Sequence, residues 1–268
     1  MKIGKATVPR TAICTSDAHT IVVRGRDLSK ELIGKVSFTD HFFLLLVGRM
    51  PSAGEAAVLN ATLVAIAEHG LVPSVQAARM TFAAAPDAMQ GAVAAGILGC
   101  GSVVLGSSET AGRMYSEIDA RMAAGEAIEP AAVAVMRAWR AAGKTIPGVG
   151  HPLHKERDER VGALFAVARE AKTDPRFVAI AEASEKMVPE VLGKPLKLNV
   201  SGAIPAVLLG AGFPVEALKG VPILARTAGL IAHLYEEIGQ PIGFALSYQA
   251  TREVQYDGSV PPGFGAAT

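Results

Sequence analysis

Apolar residues recur at three- and four-residue spacing through most of this chain, the period of amphipathic helices. Only the start reads otherwise. Residues 1–36 are expected to be extended and turn structure. Thr20-Ile21-Val22-Val23 is a short β-branched run and Arg24-Gly25-Arg26-Asp27 turns the chain after it, which predicts a small hairpin. Ser37-Phe38-Thr39-Asp40 opens an apolar helix through Val47, stopped by Gly48 and Pro51. Ser52-Ala53-Gly54-Glu55 fits a capping box before a helix with Val58, Leu59, Leu63 and Ile66 on one side. That helix ends at Glu68-His69-Gly70, and Ser74 is expected to cap the next, Val75 to Ala85.

Pro86-Asp87 restarts the chain into a helix of small residues from Ala88 to Val104, interrupted by Gly99-Cys100-Gly101. Gly106-Ser107-Ser108-Glu109 opens another helix. Ala111 to Ala123 and Ala131 to Ala142 are amphipathic, the second with Pro130 at its first position and Gly143 after its end. A helix with Val161, Leu164, Phe165 and Ala168 on one face follows, then one capped by Asp174-Pro175 and running to about Val191. Gly193-Lys194-Pro195 turns the chain toward Leu198-Asn199-Val200-Ser201-Gly202, where Ser201 is read as the cap of a helix over Ala203–Leu209. The pattern predicts an all-α fold with a short N-terminal β hairpin.

Candidate chemistry concentrates in Gly148-Val149-Gly150-His151-Pro152-Leu153-His154-Lys155-Glu156-Arg157-Asp158-Glu159-Arg160. The glycines let backbone approach a ligand closely, and the stretch feeds a helix whose partly positive start suits Asp158 and Glu159. A titratable imidazole at His151, free backbone N–H groups and the cations Lys155, Arg157 and Arg160 lie together. This suits an anionic substrate whose carbonyl or hydroxyl exchanges a proton. From spacing alone, a basic helix start with a capping histidine fits equally well. His69 at a helix end is open to the same plain reading.

Composition narrows the partners. The 268 residues are 50% hydrophobic with 5% aromatics, a mix suited to helices packed through small side chains. The net charge of +1 points to neither nucleic acid nor a membrane surface. Two cysteines, Cys14 and Cys100, make neither a disulfide framework nor a metal set, and both are expected to be buried thiols. The uncharged runs 91–108 and 198–215 are broken by glycine and Pro205, so they read as buried helices rather than membrane spans. The N-terminus lacks an apolar signal core, from which a cytoplasmic location is expected.

Ile146-Pro147-Gly148-Val149-Gly150-His151, then Lys155, then Asp158-Glu159-Arg160, resembles the central signature of the citrate synthase superfamily. More narrowly, nearly the whole chain resembles citryl-CoA lyase, the module that also forms the C-terminal part of ATP-citrate lyase. The corner His69-Gly70…Ser74 and the helix Leu224-Ala225-Arg226…Gly229…Ile231-Ala232-His233 are similar to family elements, as is the tail Arg252…Tyr256-Asp257-Gly258. Two departures stand out. No histidine occurs between His69 and His151, where synthases carry a His-Gly-Gly turn. The family's Asn-Val-Asp-Gly is here Asn199-Val200-Ser201-Gly202, and a serine hydroxyl is no base at neutral pH without help.

The resemblance implies a citrate synthase-like fold, with a large helical domain at 1–143 and 193–268 and a smaller helical domain inserted at 144–192. It implies cleavage of citryl-CoA, or a related 3-hydroxy-3-carboxyacyl-CoA, to acetyl-CoA and an oxo acid. His69, His151 and Ser201 are then the catalytic candidates. Arg160, Arg226 and Arg252 would hold carboxylates, and Lys144, Gly148, Gly150 and Lys155 would contact coenzyme A. No metal is implied. The partners would be a CoA thioester, a di- or tricarboxylate and further copies of the chain in a homodimer or larger homo-oligomer, with Arg252 reaching the neighbour's site. His233 is read as a satisfied core histidine. Two alternatives stay open: an impaired paralogue that binds CoA esters or carboxylates and regulates a partner, and an enzyme with another substrate.

Overall fold

The structure is a computed structural model and describes residues 9–101, 105–150 and 157–264. It is nearly all helical. A three-stranded antiparallel sheet, β1 (Cys14–Ser16), β2 (Ile21–Val23) and β3 (Arg26–Asp27), precedes eleven α-helices among the described residues. Arg24 and Gly25 both have positive φ, so β2 and β3 are joined by the two-residue turn whose twist matches paired strands. The hairpin is one strand larger than the sequence suggests, because the Cys14–Ser16 segment pairs with β2.

α1 (Phe38–Val47) and α2 (Ala53–Ala67) start where the sequence places them. Ser37 and Asp40 exchange the two bonds of a capping box, as do Ser52 and Glu55. α3 (Pro73–Ala84) differs. Val72 is its N-cap, Pro73 takes the first helical position, and Ser74 lies buried inside the helix rather than capping it. α4 (Met89–Leu98) ends at Gly99, where the sequence places its interruption, and residues 102–104 of the expected helix lie outside the described residues. α5 (Gly106–Ala123) runs unbroken, and α6 (Ile128–Ala141) begins two residues before Pro130, which still sits in the first turn where an N–H has no intrahelical partner. α7 (Glu159–Glu170), α8 (Arg176–Leu192), α9 (Val200–Gly210), α10 (Gly220–Gly239) and α11 (Gly243–Glu253) complete the chain.

Residues 1–67 and 102–225 form one compact unit, and 68–101 with 226–268 form another; the last of the three cuts, at 225/226, falls within α10. Within the larger unit α7 lies on α2 and α9, and α8 lies on α6 and α9. α9 is the centre of that unit, with Gly202 to Leu208 buried against α5, α7 and α8. The approach of α5 requires Gly112: a Cβ there would lie 2.3 Å from Leu218 Cδ1 and 3.2 Å from Pro205 Cβ. Tyr115, Met114 and Ile118 of α5, Met136 of α6 and Phe165 of α7 fill the remaining core. In the smaller unit α4 and α11 both pack on α3, around Val75, Ala78, Phe82, Ala92, Leu230 and Leu234. Cys100 is buried as expected, whereas Cys14 is exposed on the edge strand β1.

Candidate active site

In the larger unit the glycine turn is pinned to the chain entering α9. Val149 and Leu198 form an antiparallel bridge, flanked by Gly150 N donating to Lys197 O (2.7 Å) and Asn199 N donating to Gly148 O (3.0 Å). The Asn199 side chain does two things. Its Nδ2 donates to Gly150 O (2.6 Å), and its Oδ1 accepts from Gly202 N (3.3 Å), which makes Asn199 the N-cap of α9. Ser201 is therefore not the cap the sequence reading made it. It is the second residue of the helix, half-buried, with its hydroxyl released from that duty. Pro205 has no N–H to offer the Ser201 carbonyl four residues earlier, so this first turn also keeps an acceptor without its usual helical partner.

Close approach explains the glycines. Gly148 has φ +76°, and a Cβ on it would stand 2.6 Å from Gly202 Cα; a Cβ on Gly202 would stand 2.6 Å from Gly148 O. Backbone thus meets backbone at the start of α9.

Asp158 joins the same place from α7. Its Oδ1 accepts from Arg160 N and Nε (both 3.0 Å), and its Oδ2 accepts from Arg160 Nη2 (2.8 Å) and Val200 N (3.3 Å). One carboxylate therefore caps two helices and holds a guanidinium against them. Burial by itself would raise the Asp158 pKa, but the Arg160 side chain and the amides of Arg160 and Val200 outweigh it, so the carboxyl lies below its ordinary value. Arg160 also reaches the carbonyl of Ala65 at 3.5 Å.

Gly148, Gly150, Arg160 and Ser201 are thus assembled in one small region. Lys144 sits at the end of α6, its ammonium 4.7 Å from the Trp139 ring centroid. Arg157 pairs with Glu185 (3.2 Å), whose other oxygen accepts from Leu198 N (2.8 Å). His151 and Lys155 lie outside the described residues.

The smaller unit carries the other candidates. His69 follows the end of α2, and Glu68 beside it accepts from the amides of both His69 (2.8 Å) and Gly70. The second Glu68 oxygen is 2.9 Å from His233 Nε2. His233 Nδ1 faces Arg79 Nη1 at 3.4 Å. Arg79 is itself buried, pairs with Glu237 and Glu236, and donates to Gln240 O at 2.9 Å. Glu237 in turn accepts from the amides of Ile242 and Gly243. His233 thus has a partner on each ring nitrogen. Arg226 is buried in α10, and Arg252 is exposed on α11 with its guanidinium 5.9 Å from the Tyr248 ring centroid. Glu68 and Arg79 are the members that sequence reasoning gave no part in a site; Asp158 was read only as suiting the start of α7, and Asn199 only as part of a motif. Asn199 directly before an apolar helix was the one available signal.

The family described as citrate synthase, C-terminal domain, matches residues 51–242. The chain belongs to the citrate synthase family. A solved structure of citryl-CoA lyase from Hydrogenobacter thermophilus is 32% identical, with a TM-score of 0.83 over 95% of this chain and 96% of that one. Methanosaeta concilii ATP citrate lyase, solved in complex with (3S)-citryl-CoA, shares the fold at 21% identity and a TM-score of 0.73, over 99% of this chain and 44% of that one. A citrate synthase from Haloferax volcanii is 25% identical over 201 residues, 74% of this chain and 50% of that protein. The chain spans about half the length of the curated relatives it matches. Among the described residues no helix is long and apolar enough to cross a membrane, and no group of three His, Cys, Asp or Glu side chains is placed to hold a metal ion.

Proposed function

We propose that this citrate synthase family member cleaves citryl-CoA, or a related 3-hydroxy-3-carboxyacyl-CoA, into acetyl-CoA and oxaloacetate or another oxo acid. The observation that carries the reading is the 32% identity with the Hydrogenobacter citryl-CoA lyase across nearly all of both chains, against 25% with the Haloferax synthase. His151 takes the proton of the tertiary hydroxyl. The adjacent carbon–carbon bond breaks, its electron pair enters the thioester as an enolate, and the carbinol carbon becomes the ketone of the oxo acid. His69 stabilises the enolate oxygen. Ser201 or a water then returns a proton to the terminal carbon, giving acetyl-CoA. Arg160, Arg226 and Arg252 clamp carboxylates, with Arg252 acting in the site of a second copy. Lys144, Gly148, Gly150 and Lys155 meet the coenzyme A portion.

Asp158 supports the role of Arg160. Its Oδ2 holds the guanidinium and the Val200 amide at the start of α9 together, so the cation needs no search for its orientation. Ser201 also favours a second reading. Without a carboxylate at this position, the protein would bind CoA esters or carboxylates and regulate a partner. The discriminating experiment follows oxaloacetate release from citryl-CoA, alongside condensation of acetyl-CoA with oxaloacetate. Cleavage that falls about 10²–10⁴-fold in His151→Ala, with CoA binding kept, supports the lyase. Condensation as the faster reaction points to a synthase, and binding without turnover points to the regulatory paralogue.

A further inference from the structure

We propose that His233 is a positioning residue for the His69 corner, acting through Glu68 as a His–Glu pair. Glu68 is the piece that couples them. One of its oxygens takes the amides of His69 and Gly70, which are the backbone of the turn, and the other takes His233 Nε2 at 2.9 Å. Gly70 has φ +71°, so the turn has a left-handed step that these bonds hold in place.

The tautomer follows from what surrounds the ring. Arg79 is an obligatory donor and stands on the Nδ1 side, so Nδ1 is the acceptor and Nε2 carries the proton given to Glu68. Arg79 has little freedom to move. It is buried and held by Glu236 (2.6 Å), by Glu237 and by the carbonyl of Gln240. The chain of contacts thus runs from a fixed guanidinium, through an oriented imidazole, to a carboxylate that clamps two amides. Glu68 is about half exposed, so without His233 its rotamers open to solvent and the clamp loosens. Burial alone would raise the Glu68 pKa, but the bonds from His233, Gly70 and His69 bring it below its ordinary value, which keeps the clamp charged at neutral pH.

This inference rests on the assignment of His69 to the enolate oxygen. Its test therefore has one arm that needs no substrate. Amide hydrogen exchange at Gly70 and His69 is compared in wild type, His233→Ala and His233→Gln. The glutamine side chain retains an N–H donor close to the place of Nε2. Arg79 keeps its three other acceptors in both variants, so the helices stay packed. Exchange at the two amides should quicken about tenfold in His233→Ala and recover most of its protection in His233→Gln. In the second arm, His233→Ala should lower kcat for citryl-CoA about tenfold with KM little changed, and should cause no further loss in a His69→Ala background. Unchanged exchange at Gly70, or an equal loss with and without His69, overturns the positioning role. A wild type that releases no oxo acid instead overturns the proposed function, and the exchange arm still decides the coupling.

Discussion

Asp158 shows how one side chain can matter more than its position in a motif suggests. Its side chain is only 7% exposed, caps α7, reaches the first amide of α9 and holds Arg160. Asp158→Asn should cost about 2 kcal/mol, the scale of hydrogen bonds to a charged group. Because the carboxyl lies below its ordinary value in the folded state, this stability is present above that ordinary value and is lost as pH falls through the folded one. Denaturation midpoints of wild type and variant should therefore differ at pH 7 and converge in acid. Gly148 makes a sharper case. An alanine there would meet Gly202 Cα while forced into left-handed backbone, for a loss of about 2–4 kcal/mol by chemical denaturation. Ser201 was legible only as a substitution. Its release from capping could not be read, because the start of α9 is set by Asn199 and by a bridge to residues nearly fifty positions away.

At the level of elements, legibility followed locality. The caps of α1 and α2 are exchanged between residues three apart, so the sequence contains both partners. Ser74 looked like the same signal, but Pro73 begins α3 one residue earlier and leaves Ser74 inside. The Arg79–Glu237 and Arg79–Glu236 pairs join α3 to α10 across more than 150 residues, and no local spacing announces them. The α2 cap also carries a pH dependence. The Arg49 guanidinium beside Glu55, with Ser52, lowers the carboxyl to about 2 against burial. Glu55→Gln should cost about 1–2 kcal/mol at neutral pH, discounted because Arg49 is half exposed. That difference should persist down to the ordinary carboxylate range and fade as pH falls toward 2. Thermal unfolding of both proteins across that range checks it.

For the whole molecule, the helical class was readable from period, and the β2–β3 hairpin from a β-branched run and its turn, whereas the pairing of β1 was not. Which helices share a core depends on contacts such as α7 on α9, which leave no mark in composition. The smaller unit leaves Ile231, Tyr235 and Ile238 of α10 exposed at helical spacing, with Phe244 and Tyr248 of α11. If Arg252 serves the neighbour's site, Arg252→Ala and His151→Ala proteins, each inactive alone, should recover part of the activity when subunits exchange. No recovery after proven exchange would remove that role.

The proposed cleavage of citryl-CoA would run with a hydroxyl at position 201, where the resemblance places a carboxylate. Turnover of wild type and Ser201→Asp on citryl-CoA in deuterated water, with deuterium counted in the acetyl methyl group, tests it most directly. A slow wild type is expected, with a variant faster by up to about 10²-fold that places solvent deuterium in the methyl group. A fast wild type slowed by Ser201→Asp would contradict it, and would assign the proton step to a group other than the one at position 201.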